Sequence, residues 1–146
     1  MTLRICQFTQ KLTQVEYGQG SQLGSACELT PSPVALANGI ADRLTDVVIL
    51  TTRAVTVNLY LFADKSTSVD GERFSPDMSS FLGSIRLKPE HDHIGNWYVS
   101  EAHGLSIPVY STSATRKCYV YVTRCISGTQ RGINLGEVMV VRLGVE

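Results

Sequence analysis

Apolar and polar residues alternate along most of this chain, and the alternation has a period of two. In Ala54–Phe62, Val55, Val57, Leu59 and Leu61 fall on one side, and Thr56, Asn58, Tyr60 and Phe62 on the other. Such spacing predicts a strand with an aliphatic core face, because successive side chains of an extended chain point to opposite faces. Cys118–Ile126 repeats the pattern, with Cys118, Val120 and Val122 opposed to Tyr119, Tyr121 and Thr123. Leu105, Ile107 and Val109 alternate with Ser106, Pro108 and Tyr110, and the proline assigns that run to an edge or a bulge. Glu137–Leu143 is a β-branched run, and Thr2–Phe8, Leu12–Tyr17, Val34–Ala37, Thr45–Thr52, Ser84–Leu87 and Asn96–Ser100 complete the predicted strands.

Turn-forming residues separate these runs at short intervals: Gly18–Ser21, Pro31–Pro33, Asn38-Gly39, Asp70-Gly71, Gly95-Asn96 and Gly128–Gly132. About ten short strands so punctuated predict an all-β, antiparallel fold, a β-sandwich or a barrel, rather than alternating βαβ units. One short helix is expected at Pro76–Leu82, with Ser75 as its cap and Pro76 in the first helical position. No composition shift divides the chain, so residues 1–146 read as a single domain. Its first 39 residues are either an N-terminal arm or the first strands.

Composition narrows the function. Thirteen basic residues balance thirteen acidic ones and are scattered singly, which argues against direct nucleic-acid binding, since phosphate neutralisation needs a clustered basic surface. The longest apolar runs, Val47–Leu50 and Val138–Val141, are far shorter than the roughly 20 residues of a membrane span. The N-terminus lacks the pattern of a secretory signal, so the expected site of synthesis is a cytoplasm. That compartment, and the lack of a C-x-x-C pair, read Cys6, Cys27, Cys118 and Cys125 as free thiols packed as small hydrophobes.

Candidate chemistry is sparse. Glu90-His91-Asp92-His93 places two imidazoles on one side of a strand, so His91 and His93 are the candidate metal clip. Three or four converging ligands are needed for a metal site, and the plainer reading is a solvated hairpin loop between Pro89 and Gly95. No Gly-x-Ser-x-Gly elbow and no phosphate-cradling loop before a helix is present. Asp64, Asp70, Glu72 and Asp77 sit in loop-like stretches and read as turn formers, although two carboxylates meeting in space would revive a hydrolase or lyase. No catalytic residue and no cofactor is therefore assigned. Aromatics supply a binding alternative: Tyr60, Tyr110, Tyr119, Tyr121 and the pair Trp97-Tyr98 either fill the second layer of the sandwich or stand on an outer face.

At Leu59-Tyr60-Leu61-Phe62-Ala63-Asp64-Lys65-Ser66-Thr67 the chain resembles a diffuse set of tailed-phage virion proteins, in which an L-x-L-F-x-x-x-x-T stretch ends a core strand. An Asp-bearing loop (Asp70–Arg73), a short turn (Ser75–Ser80) and Leu82-Gly83-Ser84-Ile85 are similar to the parts that follow there. Lys117–Thr123 resembles the family's late strand, Gly128-Thr129 its next turn and Glu137–Leu143 its closing strand. The likeness covers Thr45 to Leu143; the His91–His93 loop and the four cysteines depart from it, and 1–39 has no counterpart. The resemblance implies a jelly-roll-like capsid decoration, or cement, protein, commonly trimeric, bound to the major capsid protein on the outside of a virion head. It carries over no catalytic residue.

For that role the expected contact residues are Phe62, Tyr119 and Tyr121, left outward on a sheet, and Leu3, Ile5 and Phe8, on an N-terminal segment that either pairs at home or adds a strand to a neighbour. The alternative role is a carbohydrate- or receptor-binding jelly roll of a phage tail or lectin type, using Trp97 and Tyr98.

Overall fold

The computed structural model describes residues 3–31, 42–109, 111, 116–125 and 132–146, with the backbone alone for 90–94. Val34–Ala37, Tyr110 and the Gly128-Thr129 turn lie outside the described residues. Among the described residues there are ten strands: β1 (Arg4–Lys11), β2 (Cys27–Leu29), β3 (Asp42–Thr51), β4 (Val57–Phe62), β5 (Phe81–Leu87), β6 (Pro89–Ile94), β7 (Trp97–Ala102), β8 (Ile107–Val109), β9 (Cys118–Arg124) and β10 (Val138–Val145).

They form two antiparallel sheets in the orders β1-β10-β3-β7-β6, with β8 also on β3, and β2-β9-β4-β5. Setting aside β6 and β8, the remaining eight strands pair as a single long hairpin. The outermost strands β1 and β10 meet, then β2 and β9, then β3 and β7, and β4 and β5 form the tip. Rolling that hairpin up adds the contacts β10 to β3 and β9 to β4 and divides the strands between two facing sheets. This is the jelly roll, two Greek keys wound into a sandwich. The N-terminal segment pairs at home: β1 runs in register with β10 from Arg4 opposite Val145 to Lys11 opposite Val138.

Alternation sets the layers. Val47 and Ile49 of β3, Leu59 and Leu61 of β4, Val120 and Val122 of β9, and Met139, Val141 and Leu143 of β10 close the space between the sheets and are almost wholly buried. Each such side chain contributes roughly 1.5–3 kcal/mol of transfer free energy. Cys27 and Cys118 lie in the same layer, and all four cysteines are free thiols. Burial pushes the Cys27 thiol up to about 12, against the opposing effect of a 3.1 Å hydrogen bond that Gln10 Nε2 donates to its sulfur. Iodoacetamide at pH 8 is expected to label half-buried Cys6 first, and Cys27, Cys118 and Cys125 only after denaturation, as read by intact mass. Equal labelling of all four in the native protein would contradict this core.

Four expectations need correction. The helix at Pro76–Leu82 is a single 3-10 turn, Met78–Ser80, capped by Asp77, whose carboxylate accepts from Ser79 N at 3.0 Å; Ser75 has no such role. That stretch has no apolar helical stripe to bury, and Phe81 and Leu82 instead begin β5, Phe81 opposite Phe62. Leu12–Tyr17 is not a strand: Thr13 is turned to the polar contacts described below, and only Tyr17 keeps an isolated β-bridge, to Ile133. Cys27–Leu29 is a strand that its short length hid. Pro89–Ile94 is strand β6 in a hairpin with β7 rather than a loop, its turn formed at Gly95 with φ +63°.

Candidate functional site

The two outer faces of the sandwich differ. On the β2-β9-β4-β5 sheet, the outward residues Tyr60, Phe62, Tyr119 and Tyr121 are crossed by the connection 63–80, which leaves the β4 tip and returns to β5. Phe74 is its anchor, with ring centroids 5.4 Å from Tyr60, 5.8 Å from Phe62 and 5.0 Å from Tyr121. Ser66 N donates to the Tyr121 hydroxyl at 2.7 Å, and burial raises the Tyr121 pKa. Phe62, Tyr119 and Tyr121 are consequently buried at 1%, 4% and 1% exposure. They were expected to be free for a protomer interface; the chain covers them with its own flap, because a run of aromatics on one sheet face gains more from local cover than from water.

Asp70 latches the flap at the far edge. Its carboxylate accepts from Thr13 N (3.1 Å) and Thr13 Oγ1 (2.6 Å), from the Tyr17 hydroxyl (2.8 and 2.9 Å) and from Gly24 N (2.7 Å). Partial burial alone would raise its pKa, but these donors outweigh it and hold the carboxyl below its usual range. Tyr17, fully buried, is pushed the other way, to about 12, by burial and by the adjacent carboxylate. Backbone bonds from Gln22 N to Glu72 O (2.8 Å), Gly71 N to Gln22 O (2.9 Å) and Phe74 N to Gly20 O (2.9 Å) seal the seam. Asp70 is thus more than a turn former, and only its Asp-Gly context marked it in the sequence. Asp77 is a cap, while Asp64 and Glu72 are exposed.

The outer face of the other sheet carries aliphatic side chains left half-buried. Inward Val47 and Ile49 put Val48 and Leu50 of β3 outward, and the register aligns Leu50 with Val140 of β10 and Val99 of β7. Thr9 is the β1 neighbour of Val140; Ile5 (66% exposed) lies opposite Gly144, beyond the Gln7–Arg142 pair, and with Leu3 (50%) forms a separate apolar spot at the β1 edge. β1 has β10 as its partner on one side, and among the described residues no strand pairs with its other side. Phe8 does not belong to the surface: with Arg4 and Cys6 it faces inward and packs on the core. Arg4 also pairs with Asp42 at 2.7 Å and donates to Thr30 O at 3.1 Å, fixing the start of β1. The outward apolar residues expected from the sequence, Phe62, Tyr119 and Tyr121, fall on the covered sheet; those of the other sheet were legible only as the reverse side of Thr45–Thr52.

Trp97 and Tyr98 were paired as one sugar site, yet neighbours on a strand face opposite ways. Tyr98 alone of the two lines a groove, with Thr52, Arg53, Gly95, Asn96, Asn134 and Gly136. The side chains of His91 and His93 lie outside the described residues; on the backbone, His93 is opposite Tyr98. Among the described residues no three His, Cys, Asp or Glu side chains converge to hold a metal ion. His103 bridges Asp46 (2.8 Å) and Glu101 (3.3 Å) on the surface; its hydrogen bonds to Asp46 and Glu101 raise its pKa. Among the described residues no helix is long and apolar enough to cross a membrane. Compared with known proteins, the chain matches no family model and no curated protein sequence.

Proposed function

We propose that this protein is a non-enzymatic virion component that docks on the outside of a phage capsid and stabilises it by bridging copies of the major capsid protein. The observation that carries the reading is the pair of exposed apolar side chains at the open β1 edge, Leu3 and Ile5, on a sheet whose outer face also bears the half-buried Val48, Leu50, Val99 and Val140. One sheet has a whole connection over its outer aromatics, while the aliphatics on the outer face of the other are half-buried. Exposed apolar patches of that kind mark association surfaces, and an open strand edge accepts an added strand from a neighbour. The jelly roll supports the reading by analogy, since the fold recurs in viral capsid and lectin domains; fold alone carries no function. Balanced charge, thirteen of each sign, lets many copies pack on one shell without mutual repulsion. Self-association, as a trimer, belongs to the same proposal.

Purified protein added to undecorated capsids of the phage that encodes it is expected to bind stoichiometrically and to raise their rupture temperature. Absence of both effects would reject the proposal. Mass in solution, by light scattering, tests the trimer separately.

A further inference from the structure

The jelly roll gathers four connections at one end: 12–26, 52–56, the β6–β7 hairpin, and the approach to β10. Two cavities lie there, of about 500 and 650 Å³, and both are lined by Asn134 and Gly136, so they form one groove. The groove crosses the ends of β1, β10, β3 and β7, from Lys11 past Glu137 and Thr52 to Tyr98. With strands about 4.8 Å apart, three such steps give a length of ~14 Å, enough for an oligomer rather than a single small unit.

Its floor is built and fixed. Asn134 Oδ1 accepts from Gly136 N at 2.8 Å, and Thr52 Oγ1 donates to Leu135 O at 2.8 Å. Gly136 has φ +79°, and a Cβ there would sit 2.5 Å from Thr52 Oγ1, so only glycine keeps the floor flat. Among the described residues the walls carry one aromatic ring, Tyr98, beside planar hydrogen-bonding groups: the Arg53 guanidinium and the Asn96 and Asn134 amides.

We propose that this groove binds an oligosaccharide. A sugar ring offers an apolar C–H face and a rim of adjacent hydroxyls. An aromatic side chain receives the first, and forked amide and guanidinium groups pair with the second. The polar lining does not suit an apolar cofactor, whose pockets are mostly hydrophobic. Two cations, Lys11 and Arg53, with Glu137 beside them, fall short of the several phosphate contacts that nucleic-acid affinity requires. A floor fixed by the Asn134–Gly136 and Thr52–Leu135 bonds reduces the ordering cost of binding a flexible chain. The groove lies at the opposite end of β1 from Leu3 and Ile5, so it stands whether or not the protein decorates a capsid.

An array of neutral and acidic oligosaccharides, followed by calorimetric titration of the strongest binder, tests the proposal. Saturable binding is expected, weakened at least tenfold by Tyr98→Ala and by Arg53→Ala. Arg53 is exposed, so its variant should keep the wild-type thermal midpoint, whatever Tyr98→Ala does to folding. No saturable binding on the array, or binding that Arg53→Ala leaves intact, would overturn the assignment.

Discussion

Asp70→Ala is expected to lower the unfolding free energy by about 3 kcal/mol, the sum of several donors left in a partly buried seam at roughly 1 kcal/mol each. The carboxylate holds Thr13, Tyr17 and Gly24 together, and the Tyr17 hydroxyl is the donor with least access to replacement water, because its residue is fully buried. For a chain of this length the melting temperature should fall by ~6–12 °C. The same carboxylate gives the stability its acid dependence. Its folded pKa lies below the ordinary value, so the unfolded chain takes up a proton first as pH falls. Its contribution is therefore complete above the unfolded carboxylate's pKa of about 3.9, and is lost as pH drops through that value toward the folded one. Urea denaturation between pH 7 and pH 2.5 should show a steeper acid loss for wild type than for Asp70→Ala. Parallel acid profiles would remove Asp70 from the role of latch.

Phe62→Ala should cost about 3 kcal/mol, at the lower end of the range for deleting a buried aromatic, because the flap above it can partly collapse into the space. Phe62 touches Phe74 at 5.8 Å, Phe81 at 5.6 Å and Tyr121 at 5.9 Å, so its removal loosens the cover at its centre. An aromatic reserved for contact with another protomer would behave differently. Its substitution would change the isolated chain by no more than ~0.5 kcal/mol, as at ordinary surface positions. Urea midpoints at two protein concentrations tenfold apart separate the cases: a large loss independent of concentration is expected, and a loss that vanishes on dilution would restore Phe62 to an interface.

The sandwich was legible because period-two alternation is a local signal. Leu59 and Leu61, or Val120 and Val122, declare a core face without reference to anything distant. The jelly-roll winding was expected in kind, but its pairings depend on which strands meet across the whole chain, as when Arg4 comes opposite Val145. What alternation could not tell is which outer face stays open. Phe62, Tyr119 and Tyr121 looked outward and do point outward, yet the residue that covers them, Phe74, comes from a connection whose path is set by Asp70 reaching Thr13, Tyr17 and Gly24. That reach spans 46 to 57 residues and leaves no periodic trace. Cys27–Leu29 was hidden because three residues are too few to show a period. Trp97 and Tyr98 were joined by adjacency in sequence and are parted by the pleat.

The β1 edge is the proposed docking surface, and the double variant Leu3→Asp/Ile5→Asp tests it directly in a co-sedimentation assay with undecorated capsids. Both side chains are exposed, so the variant is expected to keep the wild-type melting temperature while losing at least a hundredfold in capsid affinity. Wild-type affinity in the folded variant would contradict the account.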